Sequence, residues 1–313
     1  MVATNGIRLH CAVDGDGPLV ILLHGFPESW YSWRHQIAAL APSFRVVAPD
    51  MRGYNRSDKP AGIAAYALSE LVADVAGLIE AFGEREAVIV GHDWGGGVAW
   101  TFAMEQPAMT RRLVVLNCPH PAIFSEHLRN NGRQLLRSWY MFFFQIPWLP
   151  ETLLGLGRAR PIADAIRRST VRQDALGPED LAAVREAASQ PGALRSAINY
   201  YRAAFRTSDA RAAWPDWLQR FIHGDRPPPG RVRLEDWPKI TAPTLLIWAE
   251  NDVALGKELT LGMEAVVSGP LEIKYIPLCG HWVQQEQPAV VNGYLLDFLR
   301  DLAPGSVPAS PVA

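Results

Sequence analysis

The chain has 313 residues, 49% hydrophobic and 20% charged. It is long enough to bury a sizeable core without disulfides or a structural metal, and too apolar to be disordered. A net charge of −2 excludes polyelectrolyte attraction to nucleic acid, and three scattered cysteines, Cys11, Cys118 and Cys279, exclude a disulfide framework or a cysteine-based zinc site.

No basic, apolar leader opens the chain. The most apolar stretch, 139–149, is about half a membrane span and contains Pro147. A cytoplasmic protein is expected, with buried thiols and neither a nucleic-acid nor a membrane partner. Length alone suggests about two domains. Short runs rich in Val, Ile and Leu fall at 19–23, 45–48, 87–90, 113–116, 244–248 and 271–276. Such runs read as strands buried on both faces of a parallel sheet. Between the second and third, Leu71, Val75, Leu78, Ile79 and Phe82 keep helical spacing and Gly83 supplies a stop. Strand and helix in alternation give an α/β fold with right-handed crossovers.

From about 121 to 237 the alternation breaks. Segments 181–188 and 193–205 read as helices, 227–229 as a stiff proline loop, and no buried strand is evident until Thr244. The economical reading is a core of 1–120 and 238–302 split by a helical insertion at 121–237, with a mobile tail at 303–313. The insertion holds 17 Lys/Arg against 12 Asp/Glu. Its Arg158, Arg160, Arg167, Arg168 and Arg172 read as a solvated helical face.

The strongest chemical signal is Gly91-His92-Asp93-Trp94-Gly95-Gly96, between a strand and a helix. Glycines two before and two after a central residue fit a nucleophile elbow, which lifts one side chain above the sheet. The central residue here is Asp93, not serine. After the last strand, Gly280-His281-Trp282 offers a general base. Asp252, leaving the 244–248 strand, is placed to orient His281, with Glu250 as its rival. The other position for such an acid, after the 113–116 strand, holds Asn117, which carries no charge. His24-Gly25-Phe26-Pro27 follows the first core strand. There the backbone N–H groups of Phe26 and Trp94 would form an oxyanion hole, and His24 would brace the turn.

With these motifs the sequence resembles the epoxide hydrolases of the α/β-hydrolase fold. So does Asp50-Met51-Arg52-Gly53-Tyr54, followed by Asn55, where the family usually has Gly and where left-handed backbone is tolerable. The resemblance implies a mostly parallel sheet flanked by helices, with the insertion as a helical cap. It implies two cap tyrosines that donate to the epoxide oxygen. In Asn199-Tyr200-Tyr201-Arg202 the match favours Tyr201 over Tyr200, and in Trp139-Tyr140-Met141-Phe142 it favours Tyr140. Trp94, Trp139 and Trp282 would wall the substrate pocket, while Trp100 and Trp248 read as plain core. A carboxylate suits displacement at an sp3 carbon, because the product is a stable alkyl ester. The implied reaction opens a small hydrophobic epoxide on Asp93 and hydrolyses the ester with water activated by His281–Asp252. It needs no cofactor or metal. The sequence does not set oligomeric state. Two other readings remain: a haloalkane or haloacid dehalogenase with the same nucleophile, and a catalytically silent ligand-binding protein of the same fold. Against a haloacid enzyme, Trp94 and Gly97 stand where arginines would clamp the substrate carboxylate.

Overall fold

The computed structural model describes residues 1–206 and 234–305. The expected loop at 227–229 and the tail from 306 lie outside them. Strands β1 (Val2–Thr4) and β2 (Ile7–Leu9) form an antiparallel pair. The main sheet contains β3 (Cys11–Asp14), β4 (Leu19–Leu23), β5 (Arg45–Pro49), β6 (Ala87–His92), β7 (Thr110–Leu116), β8 (Thr244–Ala249) and β9 (Leu271–Ile276), in the order β3-β5-β4-β6-β7-β8-β9. Only β3 runs antiparallel; the remaining pairings are parallel.

The core explains why these runs are strands. Leu19, Ile21 and Leu23 of β4 pack on one face with Ile89 and Val115, while Val20 and Leu22 pack on the other with Val88, Val90 and Val114. Alternate side chains point to opposite faces, so a run apolar at every position is stable only with both faces covered. Helices α2 (Leu68–Ala81) and α3 (Trp94–Glu105) contribute to the first layer. Helix α1 (Arg34–Leu40) contributes Ile37 and Leu40 to the second.

Between β7 and β8 the described residues include α4 (Pro121–Asn130), α5 (Gly132–Arg137), α6 (Trp139–Phe143), α7 (Leu149–Ser169), α8 (Pro178–Ala188) and α9 (Ala193–Arg206). Helix α7 is broken at Leu156–Ala159, where Gly157, Arg158 and Ala159 all adopt left-handed φ. After β9 come α10 (Val283–Glu286) and α11 (Pro288–Leu299). Among the described residues no helix is long and apolar enough to cross a membrane.

Strand order positions the site. After β4 the chain pairs β5 on one side, and then β6 takes the other side of β4. At such a reversal the loops leaving the carboxyl ends of the strands diverge and open a crevice. The loops after β4, β6, β7, β8 and β9 carry Phe26, Asp93, Asn117, Asp252 and His281 respectively.

Candidate active site

Asp93 joins β6 to α3 with φ 49 and ψ −121, a strained backbone for a non-glycine residue. The turn closes because its neighbours lack side chains. A Cβ on Gly95 would lie 2.1 Å from the Leu23 carbonyl oxygen, and one on Gly25 would lie 2.4 Å from the Asp93 Cβ. Both contacts are impossible for a larger residue without moving backbone or the carboxylate itself.

The Asp93 carboxylate has two distinct oxygens. Oδ1 accepts the backbone N–H of Phe26 at 2.8 Å. Oδ2 faces His281 Nε2 at 3.7 Å. The other imidazole nitrogen, Nδ1, is 2.7 Å from Asp252 Oδ2. Asp252 is fixed in turn by the N–H groups of Ala254 and Leu255 on Oδ1 and by Asn117 Nδ2 on Oδ2, at 2.7 Å. Glu250, its rival in the sequence, instead pairs with Lys257. The Trp94 amide is the first of α3, among the N–H groups that no helical carbonyl accepts.

Burial opposes charge on Asp93 and Asp252, yet both carboxyls are held below the usual carboxylate range. For Asp93 the opposing influences are His281, His92 and the Phe26 N–H; for Asp252 they are His281, the Leu255 N–H and Asn117. Burial likewise disfavours imidazolium at His281, but its two carboxylate neighbours raise it well above the ordinary histidine value. Both carboxylates thus favour the protonated form of the imidazole between them.

A cavity of about 310 Å3 lies over Asp93. Trp94, Tyr140, Tyr201, Phe124, Leu128 and Met141 are among its walls. Along α3 the cavity follows Asp93, Trp94, Gly97, Thr101 and Glu105, one helical face. Nothing lies within 4 Å of where a Gly97 Cβ would stand. The two candidate tyrosines come from different helices, Tyr140 from α6 and Tyr201 from α9, with ring centroids 5.9 Å apart. Both hydroxyls are pushed up by burial first and then by the Asp93 charge, so they stay protonated donors. The Trp94 indole stands edge-on to the Tyr201 ring at 5.0 Å. Tyr200 also lines the cavity, but its hydroxyl is engaged, donating to the Arg52 carbonyl at 2.7 Å.

Two expected pocket walls are elsewhere. Trp139 is 63% exposed, with its ring 6.0 Å from Phe143. It adjoins Tyr140 in sequence, but consecutive helical side chains project in different directions. Trp282 is absent from the cavity wall. Its indole lies edge-on to the His281 ring at 4.8 Å and donates to Ser169 Oγ, so it backs the imidazole instead. Trp94 does line the cavity. Trp100 and Trp248 are fully buried, as expected of core residues. His24 accepts the Met51 N–H on Nε2, bracing its turn, and Asn55 takes positive φ.

The sequence reading assigned no role to a buried network behind the site. His92 Nε2 donates to the His281 carbonyl at 2.8 Å, and its Nδ1 lies 2.8 Å from Glu28 Oε2. Gln284 and Gln285 donate to the same carboxylate. The network joins the β4 loop, the elbow and the His281 loop. Its available signal was a Glu, a His and two Gln placed beside the three motifs, since such groups are buried only when paired. Among the described residues no group of three or more His, Cys, Asp or Glu is placed to hold a metal ion.

Residues 18–288 match the family model described as alpha/beta hydrolase fold. Epoxide hydrolase 3 of Xenopus tropicalis is 37% identical over 303 residues, covering 95% of this chain and 76% of its own. The AB hydrolase superfamily protein YfhM of Bacillus subtilis is also 37% identical over 303 residues, with 96% and 97% covered. The crystal structure of a Bacillus megaterium epoxide hydrolase superposes with a TM-score of 0.82 at 30% identity, covering 96% of this chain and 99% of that one. The chain belongs to the epoxide hydrolase family of α/β-hydrolase-fold enzymes.

Proposed function

We propose that the protein converts an apolar epoxide to a vicinal diol through an alkyl ester on Asp93, beneath a cap formed by 121–237. The observation that carries this reading is the pairing of an elbow carboxylate from the sheet with two protonated phenols from the insertion, across one apolar cavity.

The unequal environments of the two Asp93 oxygens divide the work. Oδ2 attacks a ring carbon as the C–O bond opposite breaks. Tyr140 and Tyr201 donate to the departing oxygen, and a proton from one of them converts the alkoxide to an alcohol. Oδ1, already held by the Phe26 N–H, becomes the ester carbonyl oxygen. Forming the ester removes one of the two negative charges that favoured the protonated imidazole, so His281 gives up its proton, which returns through solvent to the phenolate, and the imidazole becomes a base. It then takes a proton from water as that water adds to the ester carbonyl carbon. The Phe26 and Trp94 N–H groups hold the oxyanion. Collapse breaks the bond between Cγ and Oδ2, imidazolium protonates the diol oxygen, and the Asp93 carboxyl passes its proton back to the imidazole to restore the resting site. Asp252 keeps the ring oriented throughout.

A panel of epoxides and haloalkanes tests the class of reaction. Diol from the epoxides with little halide from the haloalkanes is the expected result. Halide release without diol would assign a dehalogenase, and no turnover of either would assign a ligand-binding protein.

The open space at Gly97 gives a second expectation. Gly97→Leu would put a side chain into the channel along α3, which runs about 16 Å from Trp94 to Glu105 at 1.5 Å per residue. The ratio of kcat/KM for a long-chain terminal epoxide over a short one should fall at least about tenfold, the effect of losing one to two buried methylenes or more. An equal loss on both substrates would place the substituent elsewhere.

A further inference from the structure

The turn after β5 buries one aromatic hydroxyl that meets no hydrogen-bonding group. In Asp50-Met51-Arg52-Gly53-Tyr54-Asn55 the residues on either side of Tyr54 take left-handed φ, 87 at Gly53 and 39 at Asn55. Only glycine fits at 53, where a Cβ would lie 2.6 Å from Ser196 Cβ and 2.7 Å from the Tyr66 ring. The Tyr54 N–H donates to the Met51 carbonyl at 2.9 Å, and the Tyr54 carbonyl accepts the Ser57 N–H at 3.0 Å. The turn is thus fixed on both sides of a residue that is only 4% exposed.

The Tyr54 ring packs edge-on against His24 at 4.8 Å and Tyr200 at 5.2 Å. Both neighbours flank the nucleophile. His24 precedes the glycine that abuts Asp93, and the Tyr200 ring lies 5.5 Å from that of Trp94, the residue after Asp93. The Tyr54 hydroxyl oxygen is buried and has no hydrogen-bond partner among the described residues. Buried hydroxyls are nearly always bonded, because an unmet one costs stability that a phenylalanine in the same space would not. Burial, and after it the Asp93 and Glu28 charges, push this phenol well above the ordinary tyrosine value, so it stays a protonated donor.

The hydrolytic step needs what this position offers. After ring opening the carbon skeleton of the substrate is bonded to Asp93 and fills the cavity above it. Water arriving through the cavity has to compete with that skeleton. Asp93, Trp94 and Tyr200 line the cavity, whereas Tyr54 is absent from its wall among the described residues. A single water is the ligand such a place admits, since buried waters satisfy polar groups that the chain leaves unmet. We propose that the Tyr54 hydroxyl holds a buried water beside Asp93, behind the cavity wall, and that this water adds to the ester. The inference rests on the covalent reading above. Tyr54 donates to one lone pair of the water oxygen and keeps its own proton throughout. The other lone pair forms the bond to Cγ, and a proton of the water passes to His281 Nε2.

Rapid mixing of the purified full-length chain with a fluorescent aryl epoxide measures ester formation and ester breakdown separately. Tyr54→Phe should form ester within about twofold of the wild-type rate and break it down at least about tenfold more slowly, the effect of one lost hydrogen bond to the reacting water. Then kcat and KM should fall together while kcat/KM holds. The thermal midpoint should hold or rise, because no protein group loses a partner. A crystal structure of the wild type should place an ordered water within about 3 Å of Tyr54 Oη, and this measurement stands if the variant does not fold. Unchanged ester breakdown, slower ester formation alone, or no water at Tyr54 would overturn the proposal. If neither protein formed ester, the covalent reading itself would fail, and this inference with it.

Discussion

His281→Gln should convert the enzyme into one that opens a single equivalent of epoxide and stops. Turnover should fall at least about a thousandfold, within the range a positioned general base contributes. Intact mass should rise by the mass of the substrate, and digestion should place the adduct on the peptide containing Asp93. The reasoning follows from the geometry. Ring opening uses Asp93 Oδ2 and the tyrosines, none of which needs the imidazole as a base. Hydrolysis does, because His281 Nε2 stands 3.7 Å from the carboxylate with its other nitrogen anchored on Asp252. The wild-type enzyme should show the same division with pH. Asp93 titrates below the usual carboxylate range, so ring opening persists as the medium is acidified. The ester-state imidazole, having lost the Asp93 charge, becomes protonated first, so hydrolysis slows and ester accumulates at mildly acidic pH. A His281→Gln protein with no adduct after incubation would remove the imidazole from the hydrolytic step.

The second large effect is expected at the two phenols. Tyr201→Phe and Tyr140→Phe should each lower kcat for ring opening by about a hundredfold or more, as loss of one preorganised donor does elsewhere. The double variant should fall at least about tenfold below either single one, because one phenol partly substitutes for the other. Phenylalanine preserves the packing: the Tyr201 ring meets Phe26 at 5.3 Å, Phe144 at 4.8 Å and Trp94 at 5.0 Å, all edge-on. The loss should therefore appear in the chemical step, with the thermal midpoint little changed. Tyr200→Phe makes the contrasting case. It removes a buried hydrogen bond to the Arg52 carbonyl, and its main cost should be about 1 kcal/mol of stability. Rapid-mixing measurement of ester formation separates the outcomes. A double variant within tenfold of wild type would mean that another donor carries the departing oxygen.

These roles were legible in the sequence to different depths for physical reasons. Strands β4 and β6 are buried at every position because both faces are covered, and their apolar runs at 19–23 and 87–90 are hard to mistake. β1, β2 and β3 escaped notice. They have three or four residues each and bury little, and β3 pairs on one side only at the edge of the sheet. The glycines around Asp93 were informative because backbone contacts near 2 Å exclude every other residue there. Side-chain direction was less accessible. Tyr200 and Tyr201 are neighbours and both line the cavity, yet the Tyr200 hydroxyl is tied to the Arg52 carbonyl. Trp139 and Tyr140 diverge outright. Asn117 was set aside as uncharged, but its amide joins the Ala249 N–H to Asp252, which lies 135 positions further along the chain. Partners so distant in sequence leave no local pattern to read.

The covalent ester on Asp93 is tested most directly by a single turnover in water enriched in oxygen-18, with enzyme in excess over epoxide. If Asp93 Oδ2 attacks the ring and water adds to the ester carbonyl, the first diol carries oxygen from the carboxylate. The label then appears in the peptide containing Asp93. Oxygen-18 in the first diol, with none in Asp93, would mean that water opened the ring directly, and would contradict the mechanism.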